Sequence, residues 1–109
     1  MKRVIRSQDA KCIMEGEECT RIYAHTDKLI FSISSLLPGQ KACIDEGHTD
    51  ADEICYVIQG KIVMHLPGLD EYHEVNAGEA ILIPPGEAHY SVNVGTEQAL
   101  TAWACAPTL

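Results

Sequence analysis

The chain has 109 residues, 46% hydrophobic and 22% charged, the balance of a folded globular protein rather than a disordered one. Eight basic residues against sixteen acidic ones give a net charge of −8, which argues against nucleic acid or an anionic membrane surface as a partner. The length sets the expectation of a single domain over residues 1–109, with one core and room for one small-molecule cavity.

The opening MKRVIRSQDAK is basic but lacks the apolar stretch of a signal peptide, which makes a cytoplasmic location the expectation. No later apolar run approaches the roughly 18 residues that would span a bilayer. Residues 7–18 read as a loop or one helical turn at most, with Glu15-Gly16-Glu17-Glu18 as a solvated loop. From there the signal is β throughout. Runs rich in Ile, Val, Tyr and Thr recur between Gly, Pro, Asn and Asp punctuation. They predict strands at 20–24, 28–37, 41–46, 53–59, 61–66, 71–76, 80–83, 88–94 and 99–104. Gln59-Gly60 reads as a tight hairpin, Leu66 to Asp70 and Asn76-Ala77-Gly78 as further turns, and Pro84-Pro85-Gly86 as a ladder breaker.

Side-chain alternation sorts these strands. Residues 53–59 are largely apolar on both faces (Glu53, Cys55, Val57 against Ile54, Tyr56, Ile58), as in a strand covered on both sides. Ile62, Met64 and Leu66 face one way and Lys61 and His65 the other, which marks a one-sided strand. The all-β architecture this predicts is a small antiparallel barrel. The five cysteines (Cys12, Cys19, Cys43, Cys55, Cys105) are odd in number and contain no CxxC pair. They read as buried or half-buried small hydrophobes rather than a disulfide framework or a cysteine zinc site. Cys12 and Cys19 are close enough in sequence to pair across a loop.

Residues 38–60 carry the chemistry. Glu46 and His48 stand two apart, which on a strand places them on one face, and a turn at 49–52 can bring Glu53 back beside His48. His89 follows the Pro-Pro-Gly turn. Two imidazoles with one or two carboxylates suit a divalent first-row metal. A solvated acidic turn, enlarged by Asp45, Asp50 and Asp52, fits the same residues.

The wider pattern resembles the two signature motifs of the cupin superfamily. Gly78, Pro84, Gly86, His89 and Asn93 match the second motif, G-x5-P-x-G-x2-H-x3-N, in full. His48, Glu53 and Gly60 match the later part of the first motif, H-x-H-x3–4-E-x6-G, with Pro38-Gly39 as its early turn. The resemblance implies a double-stranded β-helix, or jelly roll, with a mononuclear Fe, Mn, Ni or Zn ion held by His48, Glu53 and His89. Glu46 stands where the first motif has its first histidine. It enters either as a fourth ligand, as a general base beside the metal, or pointing away. Were both glutamates ligands, they would cancel the charge of the ion and weaken it as a Lewis acid.

Other residues are assigned more modest parts. Tyr56 and Tyr90 are expected to pack in a core or dimer contact. Arg21, on the same strand as Tyr23, is expected on an edge, with capture of a ligand carboxylate as its other reading. Trp103 and Phe31 are expected in the core or lining the cavity, and His25, His65 and His73 on the surface. The resulting expectation is a metal-binding cupin that acts as an enzyme on a small polar organic molecule, with Glu46 or Glu53 moving a proton. The alternatives are a non-catalytic small-molecule-binding module, acting by sequestering a ligand or contacting a partner, and a metal-free barrel. A homodimer through the face carrying Ile54, Tyr56 and Ile58 is also expected.

Overall fold

The β-rich sequence folds as nine strands in the computed structural model, which describes residues 3–107. The strands are β1 (Lys11–Glu15), β2 (Glu18–His25), β3 (Ile30–Leu36), β4 (Asp52–Gln59), β5 (Lys61–Leu66), β6 (Glu71–Asn76), β7 (Ala80–Ile83), β8 (Tyr90–Asn93) and β9 (Ala99–Ala106). Two antiparallel sheets result, one of six strands in the order β1-β2-β3-β9-β4-β7 and one of three in the order β6-β5-β8. They face each other as a jelly roll and do not close into a true barrel. No helix among the described residues is long and apolar enough to cross a membrane.

The period of two decides what lies between the sheets. At one end Cys55 and Val57 of β4, Ile83 of β7 and Ala99 of β9 meet Ile62, Met64 and Leu66 of β5 and Val75 of β6, all buried. At the other end the inward positions turn polar, with Glu18 and Thr20 of β2, Ser32 and Ser34 of β3, and Ser91 of β8 buried. The buried Asn93 closes the β8 end. Its amide donates to the carbonyls of Leu36 and Glu97 (2.9 Å each), and its Oδ1 accepts from the Gly95 N–H at 2.8 Å.

Four expectations are corrected. Residues 11–15, read as loop, form β1, because Gly16 at φ +65° turns the chain directly into β2. The pattern hid this strand: its inward residues, Ile13 and Glu15, face a cavity of mixed polar and apolar lining rather than an apolar core. The strand expected at 41–46 is reduced to single bridges, Gly16 with Ala42, Lys41 with Val92 and Asp45 with His89, since this segment spans from the β1–β2 turn to β8. Gln59-Gly60 is not a hairpin. Gly60, at φ +84°, is a corner that carries the chain from the large sheet to the small one. A Cβ there would stand 3.0 Å from the Ala99 backbone.

The fourth concerns the outward face of β4. Ile54, Tyr56 and Ile58 are exposed and uncovered in the single chain, as is Leu82 beside them on β7. Phe31 joins this outer face rather than the core. Arg21 is exposed on β2 and lines no cavity, in keeping with its edge reading. His25 and His73 are exposed, but His65 is half-buried, stacked on Tyr72 with centroids 4.0 Å apart and its Nδ1 2.8 Å from the Tyr90 hydroxyl. Cys12 and Cys19 are free thiols lying diagonally across the β1–β2 hairpin, with sulfurs 3.4 Å apart.

Truncating the fully buried Met64 to Ala removes packing from both sheets at once. It is expected to lower stability by about 2–5 kcal/mol, read in urea as a lower midpoint with unchanged slope. Val4→Ala, at a position 61% exposed, is expected to change it by less than about 0.5 kcal/mol.

Candidate metal centre and ligand cavity

The two segments that carry the functional side chains are joined by their backbones. Asp45 and His89 exchange a pair of hydrogen bonds, N–H to carbonyl in each direction, both 2.8 Å. Two residues on, Gly47 adopts φ +87° and lies flat against the turn that follows Pro84. A Cβ at Gly47 would stand 2.6 Å from the Glu87 carbonyl oxygen, so only glycine permits this approach. The Gly86 N–H donates to the His48 carbonyl at 2.9 Å and completes the junction. From there the chain turns at 49–50 into β4, whose first inward side chain is Glu53.

The donor atoms converge. His89 Nε2 lies 3.2 Å from Glu53 Oε1 and 3.9 Å from Asp45 Oδ2, and His48 Nε2 lies 3.8 Å from the same Asp45 oxygen. Asp45, Glu53 and His89 each offer a ligand atom within 4.8 Å of the others, and so do His48, Glu53 and Cys105. His89 is 2% exposed, and its Nδ1 donates to the Glu87 carbonyl at 2.9 Å. That bond leaves Nε2 directed at the carboxylates, which is how ligating imidazoles are commonly oriented. Burial works against protonating His89. Its hydrogen bonds to Glu53 and the Glu87 carbonyl, with the charges of Glu53 and Asp45, outweigh burial and raise its pKa. Trp103 stacks on the His89 ring with centroids 5.7 Å apart.

The structure thus sets His89 with Glu53 and Asp45, and His48 with Glu53 and Cys105, and leaves Glu46 out of both groups. Glu46 is exposed and does not line the cavity. The two-residue alternation that placed it beside His48 is broken by the left-handed turn at Gly47, and Asp45 takes the inward position. Cys105 also enters the cluster, as the register partner of Glu53 on β9. Burial, with Glu53 and Asp45 nearby, raises the pKa of its thiol. Trp103 lines the cavity as expected, and Tyr90 also reaches its wall.

The cavity has a volume of about 270 Å³. Its wall also holds two carboxyls that the sequence reading left in solvent. Glu18 is 6% exposed, with Oε2 accepting from the Ser91 hydroxyl at 3.3 Å. Glu15 accepts from the Thr20 hydroxyl at 2.7 Å, and Thr20 in turn meets Ser34 at 2.9 Å. Burial, then the adjacent Glu15, pushes Glu18 up to about 7, partly offset by the Ser91 hydrogen bond and His89. The alternation of Glu18, Thr20 and Ile22 on one face was the available signal, hidden because the hairpin at Gly16 was not recognised.

The cupin-domain family model matches residues 32–105. No curated protein matches the chain. Among solved structures, KdgF from Halomonas sp. superposes with a TM-score of 0.80 at 22% identity, covering 100% of this chain and 96% of its own. The polyketide cyclase RemF from Streptomyces resistomycificus gives 0.76 at 22% identity, covering 98% and 80%. A predicted oxalate decarboxylase from Thermotoga maritima gives 0.75 at 19%, covering 97% and 99%. At these identities the likeness is one of fold.

Because Glu18 holds its proton more tightly folded than unfolded, the native state is favoured while the group is protonated. That contribution is complete below about pH 4.5 and is lost as pH rises through about 7, amounting to up to about 3 kcal/mol. Glu15, Asp45, His89 and Cys55 share its field. Urea unfolding at pH 5 and pH 8 is therefore expected to show wild type losing more stability with rising pH than Glu18→Gln.

Proposed function

The chain belongs to the cupin family, and from that premise we propose that it binds one divalent metal ion (Fe, Mn, Ni or Zn) through His48, Glu53 and His89 with Asp45, and acts as an enzyme on a small polar organic molecule held in the same cavity. The observation that carries this reading is one Asp45 oxygen lying 3.8 Å from His48 Nε2 and 3.9 Å from His89 Nε2, with Glu53 Oε1 3.2 Å from His89 Nε2. Bonds of about 2.0–2.2 Å from nitrogen or oxygen to a common ion place donors at that kind of spacing. The chemistry of these four residues, imidazole nitrogen and carboxylate oxygen, also suits these ions. A divalent ion there would stabilise negative charge developing on a ligand oxygen. The protein's own part is to orient the imidazoles, through the Glu87 carbonyl for His89, and to exclude water with Trp103, Ile22 and Ile30. We assign to Glu53, which lines the cavity, the part of taking or returning a proton, since Glu46 is exposed and outside the cavity. That solved cupin folds of like shape include a polyketide cyclase supports an enzymatic reading.

Elemental analysis of protein purified without a chelating tag is expected to find close to one such ion per chain. His89→Ala and His48→Ala are expected to abolish it and Glu46→Ala to retain it, while Asp45→Ala weakens affinity by roughly 10–100-fold. Full occupancy in His89→Ala would overturn the site. A ligand that binds the loaded protein and emerges unchanged would move the reading to a binding module.

We further propose a homodimer through the outer face of the large sheet. Ile54, Tyr56 and Leu82 continue across Ala102 and Ala104 of β9 to Phe31 and Ile33 of β3, an apolar surface bordered by the exposed Arg21 and Asp52 on a chain of net charge −8. Two copies meeting there cover apolar area while keeping their like charges apart. Light scattering on a sizing column is expected to give twice the 11.9 kDa chain mass, and Tyr56→Glu to halve it.

A further inference from the structure

The cavity holds more acid than a metal site explains. Four carboxyls line it (Glu15, Glu18, Asp45 and Glu53) together with two imidazoles, and among the described residues no lysine or arginine does. Asp45 and Glu53 belong to the cluster of donor atoms. Glu15 and Glu18 do not, yet Glu18 is more than nine-tenths buried, its Oε2 has one 3.3 Å hydrogen bond, and its Oε1 has no hydrogen-bond partner among the described residues. A buried carboxyl oxygen facing a cavity without a donor is costly unless something entering the cavity supplies one. The rest of this wall is hydroxylic and apolar, with Thr20, Ser32, Ser34 and Ile13.

We infer that this wall is a specificity element for an ammonium group: the cavity takes a small amine whose N–H donors meet Glu18 and Glu15, and it rejects organic anions. The inference rests on the proposal that this cavity is the ligand site and names the ligand's chemical class. A ligand carboxylate placed here would face two carboxyls at close range with no lysine or arginine to offset them, while Asp45 and Glu53 already balance the charge of a divalent ion. An alcohol supplies a donor but no charge. An ammonium supplies donors and the opposite charge in a partly desolvated site, where such complementarity is strongest. With the cavity free of ligand, a proton on Glu18 does the same neutralising work, consistent with its elevated pKa among Glu15, Asp45, His89 and Cys55. An entering ammonium replaces that proton, so binding at pH 6 releases it to the buffer.

Three probes of one shape and three charges test this: cyclohexylamine, cyclohexanol and cyclohexanecarboxylate. Trp103, the only tryptophan, lines the cavity and reports occupancy by its fluorescence. Titrations are run on the protein as purified and after saturation with Mn²⁺. The amine is expected to bind roughly tenfold or more tighter than the carboxylate, with the alcohol between. Calorimetry at pH 6 in buffers of different ionisation enthalpy is expected to show close to one proton released per amine. Glu18→Gln is expected to abolish the proton release and most of the preference, Glu15→Gln to reduce the preference, and the exposed Asp27→Asn to leave both intact. If Glu18→Gln does not fold, Glu15→Gln decides. Equal or tighter binding of the carboxylate or the alcohol, no binding of any probe, or an unchanged preference in the Gln variants would overturn the inference. Mn²⁺ uptake, measured alongside in wild type and Glu18→Gln, separates the two readings. Uptake without amine preference removes this inference alone, and amine preference without uptake removes the metal site alone.

Discussion

The close approach of Gly47 to the turn after Pro84 is the constraint on which the site depends. It brings two stretches of chain some forty residues apart within hydrogen-bonding distance, and the paired backbone bonds of Asp45 and His89 then set their register. A side chain at Gly47 would meet backbone atoms, which cannot swing aside as a flexible side chain can. Everything nearer the chemistry follows from that contact. Asp45 faces inward, Glu46 faces out, His48 meets Asp45, and β4 begins with Glu53 opposite His89.

The interior is divided into two environments by one alternation. β4 buries Val57 at one end and carries Glu53 inward at the other, while Ile62 and Met64 of β5 pack the apolar end and Glu18 of β2 and Ser91 of β8 the polar one. The apolar end supplies the packing free energy, and the polar end uses it. Buried carboxyls and imidazoles are tolerated only where partners or a ligand satisfy them. His89 has such partners in Glu53 and the Glu87 carbonyl, whereas Glu18 has one weak bond and a raised pKa. The two walls of the cavity therefore differ in kind, one a cluster of converging donor atoms and the other a pair of acids facing open space. The outward apolar face of the large sheet lies on the far side of the same strands, so covering it would stiffen the wall that carries Glu53 and Cys105.

Much of this was legible in the sequence, and the boundary has physical reasons. Strong β patterns bounded by turn residues placed eight strands close to where they lie, and fixed motif spacing drew attention to His48, Glu53 and His89. What failed was the inference of side-chain direction across an irregular backbone. Alternation holds within a strand, but Gly47 lies outside one, and the two-residue step from Glu46 to His48 carries no facial information there. The same kind of glycine concealed the β1–β2 hairpin at Gly16 and turned an expected hairpin into a corner at Gly60.

By itself, the sequence determined the all-β class, the positions of most strands, and the residue types and spacings from which a metal site is built, because these rest on local propensity and short-range periodicity. Only the tertiary structure decided which acid stands beside His48, that Glu15 and Glu18 face a cavity rather than solvent, and that the outer face of β4 is bare in the single chain. Those outcomes depend on contacts between segments far apart in the chain, and no local pattern records which face of a strand another strand will cover.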